Sequence, residues 1–575
     1  MDADIVIRNG KLYSVDLEGQ ETRGEAVAIA DGKILALGSD ADIMRYIGEE
    51  TTIIDAEGNS VLPGFCDAHV HATISTILMH ACNLFFISPD ENETKKDLID
   101  KYMQQMKSYI EECPDAAMYR GMGWNPGYFN FKLEELPSRY DLDAICPDKP
   151  MVLESFCGHH MLVNSKALGM VGINDDTPSP KAGTIWKTPD GKPTGMLSEA
   201  SAMNLVRLVL PDYDLCVDDY KDAIRFYQYQ FANSYGVTLI FDALCSDNAR
   251  QAYKELAEAG ELTIRVAANY YADPNDPESR IDDFIALKGK DDVHDSYKIA
   301  CIKFFMEGSG LEFYLGEPYE EECLKAAGLP DGHRGFPFWT DEELNLWFTR
   351  LNEAGYQIHA HAMGDESITQ TINGFEYAFK KTGKKPRNTI AHLMLVKDSD
   401  FKRMGELGII ACVQPTWMSN EPLMYETYLS AFGEKRRDQF YPYKRFLDNG
   451  AIVSSGTDFP VTPPPDPFVS IQTALTRSII QTWPDYEIYK DMVLAPPENP
   501  AQDIVSLKEA IKSLTISGAY QNFYEDVTGT IEPGKSADII VLDRDLENTD
   551  AKDMHETQVV YTIFKGNIVF NGGEE

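Results

Sequence analysis

The sequence has little positive charge, no long apolar run and no leader-like start. Its 52 lysines and arginines face 92 aspartates and glutamates, which gives a formal net charge of −40. Such a surface repels phosphate groups, so nucleic acid and anionic membranes are not expected as partners. No segment reaches about 18 consecutive apolar residues, so no membrane span is expected. The N-terminus lacks the basic and apolar stretches that are typical of a signal peptide.

Paired cysteines are also missing. The ten cysteines are scattered, and none forms a Cys-x-x-Cys pair. Cys66, Cys301 and Cys412 lie within apolar runs, which predicts reduced, buried thiols and a cytoplasmic location. Cys66 precedes His69 by three residues, and residues i and i+3 of a strand point to opposite faces. We therefore expect Cys66 to pack in the core rather than to bind a metal.

Strand-like and helix-like segments alternate through the middle of the 575-residue chain, a length that suggests roughly two to four domains. Apolar runs predict eight strands, at residues 65–71, 236–243, 262–271, 298–306, 356–362, 388–394, 408–415 and 451–458. Amphipathic segments predict helices at Asp341–Ala354, Glu366–Lys381, Lys397–Leu407 and Tyr441–Asn449. This alternation indicates the α/β class and a parallel (β/α)8 barrel, the TIM-barrel fold.

The two ends of the chain share a different, β-rich pattern. Apolar runs separated by Asn-Gly and Asp-Gly in residues 4–55 predict hairpins, and similar runs follow Gly529. We expect residues 1–61 and 516–575 to form one composite β-sandwich, with the barrel in residues 62–515. A barrel needs only about 250 residues. The excess lies in residues 84–235, which predicts a subdomain inserted after the first strand that covers the active site.

Polar residues interrupt the predicted barrel strands near their C-terminal ends. Five of the 11 histidines lie there, together with one lysine and one aspartate. They are His69 and His71 on the first strand, Lys303 on the fourth, His359 and His361 on the fifth, His392 on the sixth and Asp458 on the eighth. Residues i and i+2 of a strand share a face, and buried charged groups must be paired or bound to metal. The pattern predicts a shared metal site, with either His359 or His361 as the ligand from the fifth strand.

On these residues the chain resembles the amidohydrolase superfamily, and within it the YtcJ-like group called amidohydrolase family 3, which includes an N-substituted formamide deformylase. The resemblance covers nearly the whole chain. Its motifs include Leu62-Pro-Gly-Phe, Gly123-Trp-Asn, Gly158-His-His-Met-Leu-Val-Asn-Ser, Gly195-Met-Leu-Ser-Glu199, Ile302-Lys-Phe-Phe-Met-Glu-Gly, His361-Ala-Met-Gly-Asp, Gly456-Thr-Asp-Phe-Pro and Gly529-Thr-Ile-Glu-Pro-Gly-Lys.

The resemblance implies a metal-dependent hydrolase that cleaves a carbon–nitrogen bond of a non-peptide amide, of the N-acyl or N-formyl amine type, with a metal-activated water. It implies one or two divalent ions, with zinc the expected metal. The implied ligands are His69 and His71 for the more buried ion, carboxylated Lys303 as the bridge, and His361 and His392 for the second ion, with Asp458 as ligand and general base and acid.

The expected substrate contacts are His159 and Trp124 of the insert and His359 of the barrel. The sequence departs from the family pattern at two places beside the ligands: Glu307 stands where the family has Asp, and Ala391 where it commonly has Glu. These departures predict a changed environment around Lys303 and His392.

Two other functions stay open. A metal-dependent deaminase of an amino-heterocycle is one, although that chemistry usually runs on one metal without a bridging lysine, so Lys303 argues against it. The second is a catalytically inactive scaffold relative, but such a chain is expected to have lost ligands. The expected partner is a small-molecule substrate, whose identity the motifs do not specify; a homodimer stays open.

Overall fold

Eight parallel strands form the centre of the molecule in a computed structural model that describes residues 2–90, 92–129, 132, 134–211, 213–419, 428–462, 464–483, 486–496 and 499–573. In chain order the barrel strands are Phe65–Val70, Val237–Asp242, Arg265–Ala272, Tyr297–Phe305, Gln357–Ala362, Thr389–His392, Ile410–Val413 and Val453–Ser455. Neighbours in the chain are neighbours in the sheet. All eight predicted strands and the barrel fold are confirmed.

The ends of the sheet meet through the segment that follows the eighth barrel strand. The N–H of Asp458 donates to the carbonyl of His69 at 2.8 Å, and the N–H of His71 donates to the carbonyl of Phe459 at 2.8 Å. These two bonds join the C-terminal ends of the first and eighth strands. The barrel is therefore nearly closed, and its closure lies at the predicted metal ligands.

Helices cover the outside of the barrel. Those between its strands include Asp247–Ala259, Arg280–Leu287, Asp341–Glu353, Asp365–Thr382, Asp398–Leu407 and Lys444–Asp448, and Pro467–Thr476 follows the eighth strand. Thr340 begins one of them with a capping box that includes Glu343. The helix predicted at Tyr441–Asn449 begins only at Lys444, because Tyr441 has a φ of 45° and its carbonyl accepts a hydrogen bond from buried Arg477 at 2.9 Å.

The two ends of the chain form the predicted β-sandwich. One sheet contains Ile5–Arg8, Ala26–Ala30, Lys33–Gly38 and Thr52–Asp55; the other contains Lys11–Val15, Glu21–Gly24, Ser60–Pro63, Ile539–Leu542, Val559–Phe564 and Asn567–Asn571. Ser60–Pro63 pairs antiparallel with Ile539–Leu542. The composite sandwich is thus confirmed as part of the fold.

Two further helices, Leu507–Leu514 and Ile516–Gln521, precede the C-terminal strands. The second packs against the barrel: the side-chain N–H of Gln521 donates to the carbonyl of Ala68 at 2.8 Å. A Cβ at Gly518 would lie 2.6 Å from the sulfur of Cys66, which is buried in the core as expected. The domain boundaries at residues 61 and 516 stay a prediction.

The segment between the first two barrel strands forms its own layer. Its six-stranded sheet contains Cys82–Asn83, Tyr119–Trp124, Met151–Ser155, His160–Val163, Thr184–Lys187 and Pro193–Ser198. Its helices include Ala72–Ile77, Lys95–Glu112, Arg139–Asp143, Ser165–Val171, Ala200–Arg207 and Val217–Tyr227. Two apolar clusters of this segment are separate from the barrel core. None of the described helices is long and apolar enough to cross a membrane.

Candidate metal centre and its cavity

The C-terminal ends of the barrel strands open into a cavity of about 620 Å³. Five of the predicted ligands line it: His71, Lys303, His361, His392 and Asp458. His69, the sixth, is fully buried, with its ring 5.4 Å from that of His71 and 4.8 Å from that of His392. The structure therefore brings together all six residues, which come from five strands.

Asp458 lies between the two histidines of the first barrel strand. Its Oδ1 is 3.4 Å from Nε2 of His69 and 3.2 Å from Nε2 of His71. One ligand atom from each of these residues lies within 4.8 Å of the other two. Two imidazole nitrogens and a carboxylate oxygen are a donor set that suits zinc.

The second half of the centre contains Lys303, His361 and His392. The rings of His361 and His392 lie 4.5 Å apart. Nζ of Lys303 and Nε2 of both His69 and His361 are buried, and no described residue forms a hydrogen bond with them. Buried polar atoms normally have partners. A bound cation would give these atoms the partners they lack, so the residues fit a metal centre.

Burial and neighbouring charges together set the protonation of the predicted ligands. Burial lowers the pKa of Lys303 to about 8, while the charge of Asp458 acts to raise it. Burial, with the Lys303 charge adding to it, lowers the pKa of His69 and His361 well below the ordinary value. Burial also raises the pKa of Asp458, but His71, His392 and Lys303 outweigh it and hold the pKa below the ordinary value. At neutral pH, His69 and His361 are neutral and Asp458 is ionised.

A second layer of side chains orients two of the ligands. Nδ1 of His69 lies 2.9 Å from Nε2 of His359, and Nδ1 of His392 donates to Oε1 of Gln414 at 2.9 Å. Each contact uses Nδ1 and leaves Nε2 of the ligand for the centre. His359 is fully buried beside Phe241, with their rings 4.6 Å apart, and does not line the cavity. The structure therefore does not bring His359, an expected substrate contact, to the cavity, because this residue lies one layer deeper than His361.

Two of the ligands have unusual backbone conformations. His392 has a φ of 79° and Asp458 a φ of 58°, both in the left-handed region. Side chains other than glycine adopt this region at a cost, and such residues cluster at functional sites. His392 is the last residue of its strand, Asp458 lies in the segment after the eighth strand, and both residues line the cavity.

Glu307, which replaces the family's Asp, ties two loops together. Its buried carboxylate accepts hydrogen bonds from the backbone N–H groups of Met363, Gly364 and Tyr314. Burial raises the pKa of Glu307 to about 7. The fourth barrel strand is thus joined to the loop that follows His361. Ala391, the second departure, is buried in an apolar cluster with Cys301 and Cys412.

The insert forms one wall of the cavity. His159 lines it, with its ring 5.4 Å from that of His361. Trp124 does not, because it is buried in the insert's own core, where its indole N–H donates to the carbonyl of Leu153 at 3.2 Å. The structure therefore does not bring Trp124, an expected substrate contact, to the cavity.

Sequence reasoning missed several cavity residues. Glu199 lies 2.8 Å from His159, and the only signal for it was its place in a motif shared with the family. The ring of Trp417 stacks on His392 at 5.4 Å. Other aromatic residues complete the apolar lining, and of these only Phe305 lies in a quoted family motif: Phe156, Phe305, Phe313, Tyr428, Tyr441 and Trp483.

Comparisons with known proteins agree with this geometry. Residues 52–570 match the model of the amidohydrolase family. The chain belongs to the amidohydrolase family. Together with the gathered ligands, this membership identifies it as a metal-dependent hydrolase.

Relatives match it over nearly the full length. It is 24% identical over 572 residues to N-substituted formamide deformylase of Arthrobacter pascens, covering 98% of this chain and 97% of that protein. It is 26% identical over 573 residues to YtcJ of Bacillus subtilis (strain 168), covering 98% of both. It is 27% identical over 564 residues to Protein LONG AFTER FAR-RED 3 of Arabidopsis thaliana, covering 96% of this chain and 89% of that protein.

Among solved structures, an uncharacterized metal-dependent hydrolase from Pyrococcus horikoshii OT3 has the same fold. The TM-score is 0.69 at 23% identity, covering 95% of this chain and 99% of that one. The expected resemblance to the amidohydrolase superfamily is confirmed.

Proposed function

We propose that this amidohydrolase cleaves the carbon–nitrogen bond of a non-peptide amide, an N-acyl or N-formyl amine, at a centre of two divalent ions. The observation that carries the proposal is the convergence of six ligand-competent residues, one of them a lysine, on one cavity. The full-length likeness to an N-substituted formamide deformylase supports the bond type.

In this proposal His69 and His71 would hold the more buried ion, and His361 and His392 would hold the other. A carboxylated Lys303 would supply an anionic oxygen ligand shared by both ions, which gives a role to a buried Nζ for which the described residues offer no hydrogen bond. Nitrogen and carboxylate donors favour zinc. Ions bound there would polarise the amide carbonyl and lower the pKa of a coordinated water.

Asp458 moves the proton. Its low pKa keeps the carboxylate ionised at neutral pH, so this group can accept a proton from the attacking water. The same group then gives this proton to the leaving nitrogen, which departs as an amine while the acyl group becomes a carboxylic acid. Asp458 therefore acts first as base and then as acid, and one water is consumed for each bond broken.

The cavity also limits the substrate. A volume of about 620 Å³ is in the range of small-molecule sites, and aromatic side chains form much of its wall. This lining favours an apolar group on one side of the scissile bond. The deaminase alternative has less support, because it gives no role to Lys303. A homodimer and a cytoplasmic location remain predictions.

The test combines metal analysis with a substrate panel. We expect the purified protein to contain up to two zinc ions per chain and to release amine from at least one member of a panel of N-formyl and N-acyl amines. Exhaustive chelation should abolish the activity, and zinc should restore it. His69→Ala should lose metal and activity, whereas His555→Gln, a change outside the cavity, should retain both. Full activity of the chelated protein would refute the proposal, as would a zinc-loaded protein that cleaves no member of the panel.

A further inference from the structure

The insert contributes a carboxylate behind His159 that the proposed mechanism does not use. Oε2 of Glu199 lies 2.8 Å from Nδ1 of His159, and both residues line the cavity. Their backbones are also joined, since the N–H of Glu199 donates to the carbonyl of His159 at 2.8 Å. Oε1 of Glu199 accepts the N–H of Ser309 at 2.9 Å. Glu199 therefore ties the insert to the loop after the fourth barrel strand, beside the metal centre.

The local backbone is strained to hold this carboxylate in place. Glu199 has a φ of 68° and a ψ of 155°, a conformation that is almost confined to glycine. The loop after the fourth barrel strand leaves room for the Glu199 carboxylate because residue 308 is a glycine. A Cβ there would lie 2.9 Å from Oε1 of Glu199 and 2.8 Å from Cβ of Glu312. Strain at a cavity residue is typical of a functional position.

The contact determines which nitrogen of His159 carries its hydrogen. A carboxylate can only accept, so Nδ1 is the donor, and Nε2 of the neutral ring is a hydrogen-bond acceptor. None of the hydrogen bonds found among the described residues uses Nε2. The ring packs 5.4 Å from that of His361 and 5.8 Å from that of Phe305. A bound substrate is therefore offered an acceptor beside the proposed metal ligands.

The matching donor is the N–H of a secondary amide or formamide. We propose that Glu199 is a positioning residue that holds His159 as the acceptor for this N–H, so that the enzyme prefers secondary amides to N,N-disubstituted ones. The preference for a substrate class rests on the proposed function; the positioning of His159 does not.

The first test uses two probes that differ by one methyl group, N-(2-phenylethyl)formamide and its N-methyl analogue, which lacks the N–H. With the zinc-loaded enzyme we expect kcat/KM to be at least about tenfold higher for the secondary formamide. Glu199→Ala and His159→Phe should remove this preference by lowering kcat/KM for the secondary formamide, mainly through KM. Their kcat/KM should fall less for the N-methyl analogue than for the secondary formamide, so that the ratio of the two values approaches one.

Two variants separate positioning from general loss of charge. Glu199→Gln keeps an oxygen that can accept from Nδ1 and should restore part of the preference. Glu343→Gln removes a surface carboxylate that is paired with Lys181 at 2.6 Å. This variant should change kcat/KM for neither probe. Zinc content and thermal unfolding midpoint, measured for each variant, show whether the centre and the fold are intact.

The second test needs no turnover. Nitrogen-15 NMR of histidine-labelled protein, with the His159 signals assigned by their loss in His159→Phe, should show hydrogen on Nδ1 and none on Nε2. Glu199→Ala should shift the balance toward hydrogen on Nε2.

An unchanged tautomer in Glu199→Ala would refute the positioning role. An unchanged probe preference in that variant would refute the recognition of N–H. A zinc-loaded enzyme that cleaves neither probe but other panel members would refute the substrate preference alone, and one that cleaves no panel member would refute the proposed function.

Discussion

Thr457 holds the carboxylate of Asp67 at both oxygens: its backbone N–H donates to Oδ1 at 2.9 Å and its hydroxyl to Oδ2 at 2.5 Å. This contact joins the first and eighth barrel strands just below His69 and Asp458. The side chain of Asp67 is buried, and burial raises its pKa to about 7. The closure of the barrel and the placement of the predicted metal ligands thus depend on the same contact between Thr457 and Asp67.

Thr457→Val should therefore destabilise the protein by about 1–3 kcal/mol, because it leaves a buried carboxylate oxygen without its donor. The free energy of unfolding can be measured by urea denaturation. Thr382→Val is the control, since that hydroxyl bonds to backbone groups at the end of its own helix, the carbonyl of Ala378 and the N–H of exposed Lys384. Equal stability of the Thr457 variant and the wild type would show that the pair does not support closure.

His361 and His359 should differ in their effect on metal binding. We expect His361→Ala to lose one of two zinc ions even at saturating zinc, because a direct ligand is gone. His359→Ala should keep both ions at saturation but bind them about 10–100-fold more weakly, the usual effect of losing a residue that orients a ligand. Chelator competition followed by elemental analysis measures both. The reverse order of effects would make His359 the ligand.

Lys303 should carry a carboxylate derived from carbon dioxide. Protein prepared in carbon-13-labelled bicarbonate is expected to show a carbamate signal in NMR spectra, and acidification should remove it. Lys303→Ala should lose activity and regain part of it with short-chain carboxylic acids, which can bridge the ions in its place. An intact zinc-loaded enzyme with an unmodified lysine would contradict this prediction.

Glu307 should make stability depend on pH. Burial raises its pKa from 4.5 to about 7, so the folded protein binds this proton more tightly than the unfolded chain does. The stabilisation is complete below pH 4.5 and is lost as the pH rises through 7, by up to about 3 kcal/mol. The difference in unfolding free energy between the wild type and Glu307→Gln should therefore shrink from pH 5 to pH 8. A constant difference would mean that the group titrates normally.

The sequence was sufficient to predict the barrel and the convergence of its polar strand-end residues on one site, because each of them interrupts an otherwise apolar strand near its end. Strand periodicity shows which face a side chain occupies but not its depth, so it could not separate His359 from His361. It also could not show that Trp124 points into the core of the insert. The bond between Glu199 and His159 was beyond prediction, since it depends on a strained backbone and on a loop 110 residues further along the chain.

The shared β-sandwich has a consequence for how the protein is made. Ser60 bonds to Leu546, which follows it by 486 residues. At the ribosome, with about 5–20 residues added each second, the N-terminal strands wait roughly 25–100 s for their partners. During that time the edge of Ser60–Pro63 that later binds Ile539–Leu542 is exposed to other chains. Folding yield in cells should thus depend on chaperones that protect this edge until synthesis ends.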